Sequence, residues 1–202
     1  MQKSLVSLLA VSIILVLGSA SQATLIMDET LHNGELTASG AGNWMDGHTP
    51  AGWQETLVGG CYQTAYQWTM ISSSYGGAVN NTGELVQASH AFTVNASLGG
   101  TAGKTATVQV WATENSDGTG NTALLAEVSR LEVSGIPTYT LYPVLGTQGA
   151  SAAPGLTGYY VQVQLLGGGA YYDNIEVTSE YVPEPATIAL LGLGGLILRR
   201  KK

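Results

Sequence analysis

The strongest constraint on this chain is its alternation. From Thr105 to Thr113, Val108, Val110 and Ala112 fall on one side, and Thr107, Gln109, Trp111 and Thr113 fall on the other. Successive side chains of a β-strand leave on opposite faces, so this spacing makes one apolar and one polar surface. The same period recurs from Tyr159 to Leu166. There Tyr159, Val161, Val163 and Leu165 oppose Tyr160, Gln162, Gln164 and Leu166. Val86 to Val94 reads as a further strand, with Val86, Phe92 and Val94 on one face. Leu57–Met70, Tyr139–Leu145 and Tyr171–Thr178 read similarly, and residues 123–133 are strand or short helix. Gly-rich stretches at 76–83, 99–103 and 117–121, and the run Gly167-Gly168-Gly169, read as turns. About six to nine short strands predict an all-β chain, two antiparallel sheets packed as a jelly-roll-like β-sandwich.

Composition excludes several functions. Seven Lys+Arg stand against fourteen Asp+Glu, and only 10% of residues are charged. Five of the cations, Lys3, Arg199, Arg200, Lys201 and Lys202, lie at the chain ends. Between residues 24 and 184, fourteen acids meet only Lys104 and Arg130, which leaves −12. Phosphate binding depends on clustered Lys and Arg, so no nucleic-acid partner is expected. One Cys, Cys61, closes no internal disulfide and builds no Cys-rich zinc site.

Both ends read as targeting segments. Lys3 precedes an apolar run of about 13 residues, shorter than the ~20 that span hydrocarbon. The run exits through Gly18-Ser19-Ala20-Ser21-Gln22-Ala23. This is the layout of a signal peptide over residues 1–23, a signal helix cut by signal peptidase after Ala23. At the other end, Pro183-Glu184-Pro185 precedes a Gly-containing apolar stretch and then Arg199-Arg200-Lys201-Lys202. Terminal cations stay cytoplasmic, so the expected domain at 24–181 lies outside and a short C-terminal transmembrane helix holds it at the membrane until processing.

Residues 182–202 resemble the PEP-CTERM sorting signal. The resemblance implies a partner, an exosortase-type sorting peptidase that reads Pro183, Glu184 and Pro185 and removes the helix and the basic tail Arg199, Arg200, Lys201 and Lys202. It implies export to the cell envelope, outer surface or extracellular matrix.

A second resemblance concerns the exported domain. Leu31-His32-Asn33-Gly34-Glu35-Leu36 opens it, Trp53 follows a Gly-rich loop, and Tyr159–Val163 precedes Tyr172-Asp173-Asn174-Ile175-Glu176-Val177. The layout is similar to galactose-binding-like jelly rolls, the fold of many carbohydrate-binding modules. In those domains an acid of the first strand and an Asp of the last help hold calcium. Asp173 matches the second of these, whereas Thr37 stands at the position of the first. Asp173 also falls in phase with Tyr171, Ile175 and Val177, and an inward carboxylate needs a partner, either a calcium ion or backbone N–H groups. Asp28, Glu29 and Glu35 are further candidate ligands.

The candidate ligand face is Trp111 with Gln109, joined by Tyr160, Gln162 and Gln164 if the two strands are neighbours. Aromatic faces stack on pyranose rings, and amides bond hydroxyls. Otherwise the row is a solvated sheet face. His32, His48 and His90 show no H-E-x-x-H spacing, and no G-x-S-x-G elbow occurs. No catalytic residue and no further cofactor is expected. The reading is a non-enzymatic exported surface or matrix protein, with a polysaccharide-binding module and a glycan-acting hydrolase as alternatives.

Overall fold

The computed structural model describes residues 23–29, 42–43, 53–56, 61–63, 69–71, 77–132 and 142–183. These form two antiparallel sheets. The larger sheet contains β1 (Thr24–Glu29), β2 (Gly42–Asn43), β4 (Cys61–Gln63), β5 (Thr69–Ile71), β7 (His90–Gly100), β10 (Tyr142–Val144) and β12 (Ala170–Tyr181). The smaller sheet contains β3 (Trp53–Glu55), β6 (Gly77–Leu85), β8 (Thr105–Thr113), β9 (Asn121–Leu131) and β11 (Tyr160–Leu166). Its order is β3-β6-β11-β8-β9. The architecture is the all-β sandwich expected from the alternation.

β12 organises the larger sheet. β7 runs along one edge of it, while β5 and β1 share the other, at Ala170–Tyr172 and Ile175–Ser179 respectively. From β7, Phe92, Val94, Ala96 and Leu98 point into the core. From the smaller sheet, Val108, Val110, Ala112, Val161, Val163 and Leu165 meet them, all fully buried. Each Val, Leu or Phe among them contributes about 1.5–3 kcal/mol relative to exposure. Tyr172 crosses this layer. Its hydroxyl donates to the Leu166 carbonyl and accepts from the Thr107 amide at 3.3 Å. A strand of one sheet is thereby tied to two strands of the other.

The flank between β7 and β9 is closed by the chain after β10. Gly146 N donates to Asn95 Oδ1 at 3.0 Å, and Gly149 N donates to Phe92 O at 2.8 Å. A Cβ on Gly149 would lie 2.1 Å from Leu125 O, so only glycine lets the segment approach this closely. Arg130 adds a second closure, with its guanidinium 3.8 Å from the Tyr142 ring centroid.

Several expectations change. Val86–Val94 is not one strand. β6 ends at Leu85, and a turn with Ser89 at φ 60° leads into β7. Val86 remains buried, which is why it mimicked a strand position. The Gly-rich run at 76–83 is mostly β6, an interior strand, and not a loop. Gly77 lies there against the Leu165 carbonyl, closer than a Cβ permits. Residues 123–133 resolve as strand β9 up to Leu131. Asp173 does not continue the inward phase of Ile175. A bulge between Asp173 and Glu176, with Asn174 at φ 48°, inserts one residue. Ala170 and Tyr172 enter the core before it, and Ile175 and Val177 after it.

The segments expected to form two flanking helices, and the runs at 64–68 and 133–141, lie outside the described residues. Among the described residues, no helix is long and apolar enough to cross a membrane.

Replacing Tyr172 by Phe keeps the ring and removes the hydroxyl. It is expected to lower the unfolding free energy by about 1–2 kcal/mol, because the Leu166 carbonyl loses a buried donor. A urea titration checks this through a lower midpoint at unchanged slope.

Candidate functional site

β8 and β11 are neighbours, so the row proposed from alternation falls on one face. Gln162 sits opposite Trp111, and Gln164 opposite Gln109. Strand register extends the second line to Glu127 on β9 and, through Val79, to Gln54 on β3. The inward residues of these strands fill the core, so the row occupies the outer face of the five-stranded sheet.

The side chains are held to one another. Trp111 Nε1 donates to Gln109 Oε1 at 3.0 Å, and Gln109 Nε2 donates to Glu127 Oε2 at 2.6 Å. Gln164 Nε2 donates to Gln162 Oε1 at 2.5 Å, and Gln162 Nε2 donates to Asn81 Oδ1 at 2.8 Å. Such a network costs less to order on ligand arrival than free side chains would. Trp111, Gln109, Gln164 and Tyr160 are half-buried. Leu124, opposite Trp111 on β9, adds exposed apolar surface.

Gln162 differs from the others in being 4% exposed. The β8–β9 hairpin loop folds back over it. Gly118 O accepts from Gln162 Nε2 at 3.3 Å, and Asp117 O accepts from Asn81 Nδ2 at 3.0 Å. Gly118 has φ 82°, and a Cβ there would lie 1.8 Å from Gln162 Nε2. The loop is braced by the Asp117 carboxylate, which accepts from the Thr119 amide at 2.9 Å and hydroxyl at 2.7 Å. The backbone bond from Thr119, then its hydroxyl, hold the Asp117 carboxyl below the usual value. The loop bounds the row at this end, so the open surface is Trp111, Gln109, Gln164 and Glu127. Asn81 and Glu127 are not among the residues that alternation assigned to the row. Both were invisible until β6 and β9 were set beside β11 and β8.

The remaining candidates are apart from the row. Asp173 is buried at the bulge, and its Oδ1 accepts from the Asn174 amide at 2.8 Å. This backbone contact is one of the partners expected for it. Among the described residues, no group of three or more His, Cys, Asp and Glu is placed to hold a metal ion. The side chains of Asp28 and Glu29 and all of Glu35 lie outside the described residues. His90 is half-buried, with Nδ1 3.4 Å from Ser179 Oγ and its ring edge-on to Tyr181. Arg130 Nε lies 3.9 Å from the buried Glu132 carboxylate at the sandwich flank. Lys104 is in the turn after β7. Ala23 is exposed just before β1. Pro183 is exposed just after β12, and Glu184, Pro185 and the basic tail fall outside the described residues.

Residues 182–202 match the PEP-CTERM protein-sorting motif. The motif implies export and recognition by an exosortase-type peptidase. No curated protein matches the chain in sequence. Among solved structures, the fold is similar to a Stig cyclase from Fischerella sp. TAU in complex with (3Z)-3-(1-methyl-2-pyrrolidinylidene)-3H-indole. The TM-score is 0.52 at 13% identity, covering 80% of this chain and all of that one. At this identity the likeness is one of fold. Other similar structures are the CBM22-1 xylan-binding domain of Paenibacillus barcinonensis Xyn10C and the CBM22-1–GH10 modules of Clostridium thermocellum Xyn10B with xylohexaose. The first has a TM-score of 0.44 at 10% identity, covering 82% of this chain and 100% of that one. The second has 0.47 at 13%, covering 78% and 29%.

The loop yields two expected outcomes. Gly118→Ala strains the backbone and collides with Gln162, so it should destabilise the domain by at least about 1 kcal/mol in chemical denaturation. Because the Asp117 pKa is depressed, its brace is fully present above the ordinary carboxylate range and fades only as pH falls through the depressed value. The Thr119 amide resonance should therefore titrate with a midpoint below that of an ordinary Asp. A midpoint at or above the ordinary value contradicts the brace.

Proposed function

We propose that the chain is a non-catalytic protein of the cell surface or extracellular matrix whose sandwich contacts polysaccharide through the Trp111 row. The observation that carries this reading is the register that sets Trp111, Gln109 and Gln164 side by side, with Glu127, on one open sheet face. An indole face stacks on the apolar face of a sugar ring, and amide and carboxylate groups bond its hydroxyls. Export to the cell surface, which the sorting motif implies, supports this reading. Cleavage after Ala23 would leave β1 whole, and loss of the C-terminal helix and basic tail would leave the sandwich intact. Calcium at Asp173 stays a candidate structural ion within this proposal.

Charge narrows the ligand. The exported part carries two cations, and Arg130 is engaged at the flank with Tyr142 and Glu132. Glu127 adds a negative group to the row itself. Uncharged polysaccharides fit this face better than polyanions, which the field of the domain repels at low salt.

Affinity electrophoresis of the processed protein against a panel of neutral and acidic polysaccharides tests the reading. At least one neutral polymer should retard the wild type, and Trp111→Ala should lose the retardation at an unchanged circular dichroism spectrum. Retardation that survives Trp111→Ala sinks the row as the binding surface. Replacing Pro183, Glu184 and Pro185 by Ala should leave unprocessed precursor in the membrane fraction. Normal processing of that variant would rule out the sorting role.

A further inference from the structure

The sorting motif begins on the sandwich itself. Its first residue, Val182, follows the last residue of β12 directly. The Val182 amide donates to the Ser89 carbonyl at 2.8 Å, one rung beyond the Tyr181–His90 pair that ends the β12–β7 ladder. The His90 and Tyr181 rings meet edge-on at 6.0 Å, which adds side-chain contact to that last rung. Ser89 is held in the left-handed region at φ 60°, the conformation that turns β6 into β7 and aims its carbonyl at Val182. Pro183 is already exposed.

A peptidase binds its substrate as extended chain with both backbone edges available. With Val182 fastened to Ser89, only one residue separates the sandwich body from Glu184. An extended residue spans only about 3.3 Å, so an enzyme that reads Pro183-Glu184-Pro185 meets the 86–90 turn before it can enclose the residues on the N-terminal side.

We propose that the Ser89–Val182 hydrogen bond is a clasp that gates processing of this chain by its sorting peptidase. Scission falls C-terminal to Val182, and it proceeds from the fraction of molecules in which the end of β12 has opened from the turn. Local opening of a strand end is far easier than global unfolding, and the rate follows the open population when opening and closing outpace cleavage. Water enters the scissile peptide bond, and the two products carry a new carboxylate and a new amino group.

Ser89 allows the clasp to be moved in both directions without touching the motif. Glycine accepts φ 60° without strain, so Ser89→Gly tightens the turn. A β-branched residue resists that region, so Ser89→Val loosens it. In the native host, pulse–chase of the full-length chain should show roughly two-fold slower processing for Ser89→Gly and roughly five-fold faster processing for Ser89→Val. A four-residue Gly-Ser insertion between Val182 and Pro183 gives the enzyme reach while leaving the sandwich unaltered. It should speed processing and remove the difference between the two Ser89 variants. Gly118→Ala serves as the control for general destabilisation and should process at the wild-type rate. Equal rates across the Ser89 series overturn the clasp. So does a Ser89 effect that persists with the insertion, or a Gly118→Ala chain that accelerates as much as Ser89→Val.

Discussion

The phenol of Tyr172 ties the two sheets together, and much of the fold depends on where it stands. Apolar packing between sheets is strong but has little directionality, so it does not by itself stop one sheet sliding over the other. A hydroxyl that donates to Leu166 and accepts from Thr107 sets the offset. With that offset, Val108, Val110, Val163 and Leu165 face Phe92, Val94 and Leu98. β12 can hold this position because it is central, paired with β7 on one edge and with β5 and β1 on the other. The bulge at Asp173–Asn174 restores the inward phase for Ile175 and Val177 after Tyr172 has been placed.

The same strand links the fold to sorting. β12 ends at Tyr181, and the motif starts at the next residue. Central position makes the strand hard to extract, while its last rung, on the Ser89 turn, lies at the end of the ladder. The open sheet face lies on the smaller sheet, whereas the strand that leads to the sorting motif belongs to the larger one. Within the proposed function, the polysaccharide surface and the sorting tail thus belong to different sheets.

Much of the fold was legible in the residues. The alternation at Thr105–Thr113 and within Tyr159–Leu166 became strands β8 and β11, whose apolar sides are the core, because a period of two survives intact where one face is buried. The failures have physical causes. Val86 is buried by a turn and not by a strand, so burial imitated alternation. Gly77 of β6 resembled part of a loop because close approach to the Leu165 backbone demands glycine as strictly as a turn does. Asp173 was placed inward because a bulge leaves no mark in the spacing of apolar residues. Glu127 and Asn81 were not found as row members because each lies far along the chain from its neighbours in the row.

By itself the sequence determined the class of fold, the strongly acidic charge of the central part and the sorting motif at 182–202. Those properties are local or additive, written in periodicity, composition and short contiguous motifs. The tertiary structure alone decided which strands are neighbours. It thereby set Trp111 beside Gln162 and Gln109 beside Gln164, closed the hairpin loop over Gln162, and fastened Val182 to Ser89. Each of these is a long-range pairing, and pairing is fixed by the packing of the whole core, which no short stretch of sequence contains.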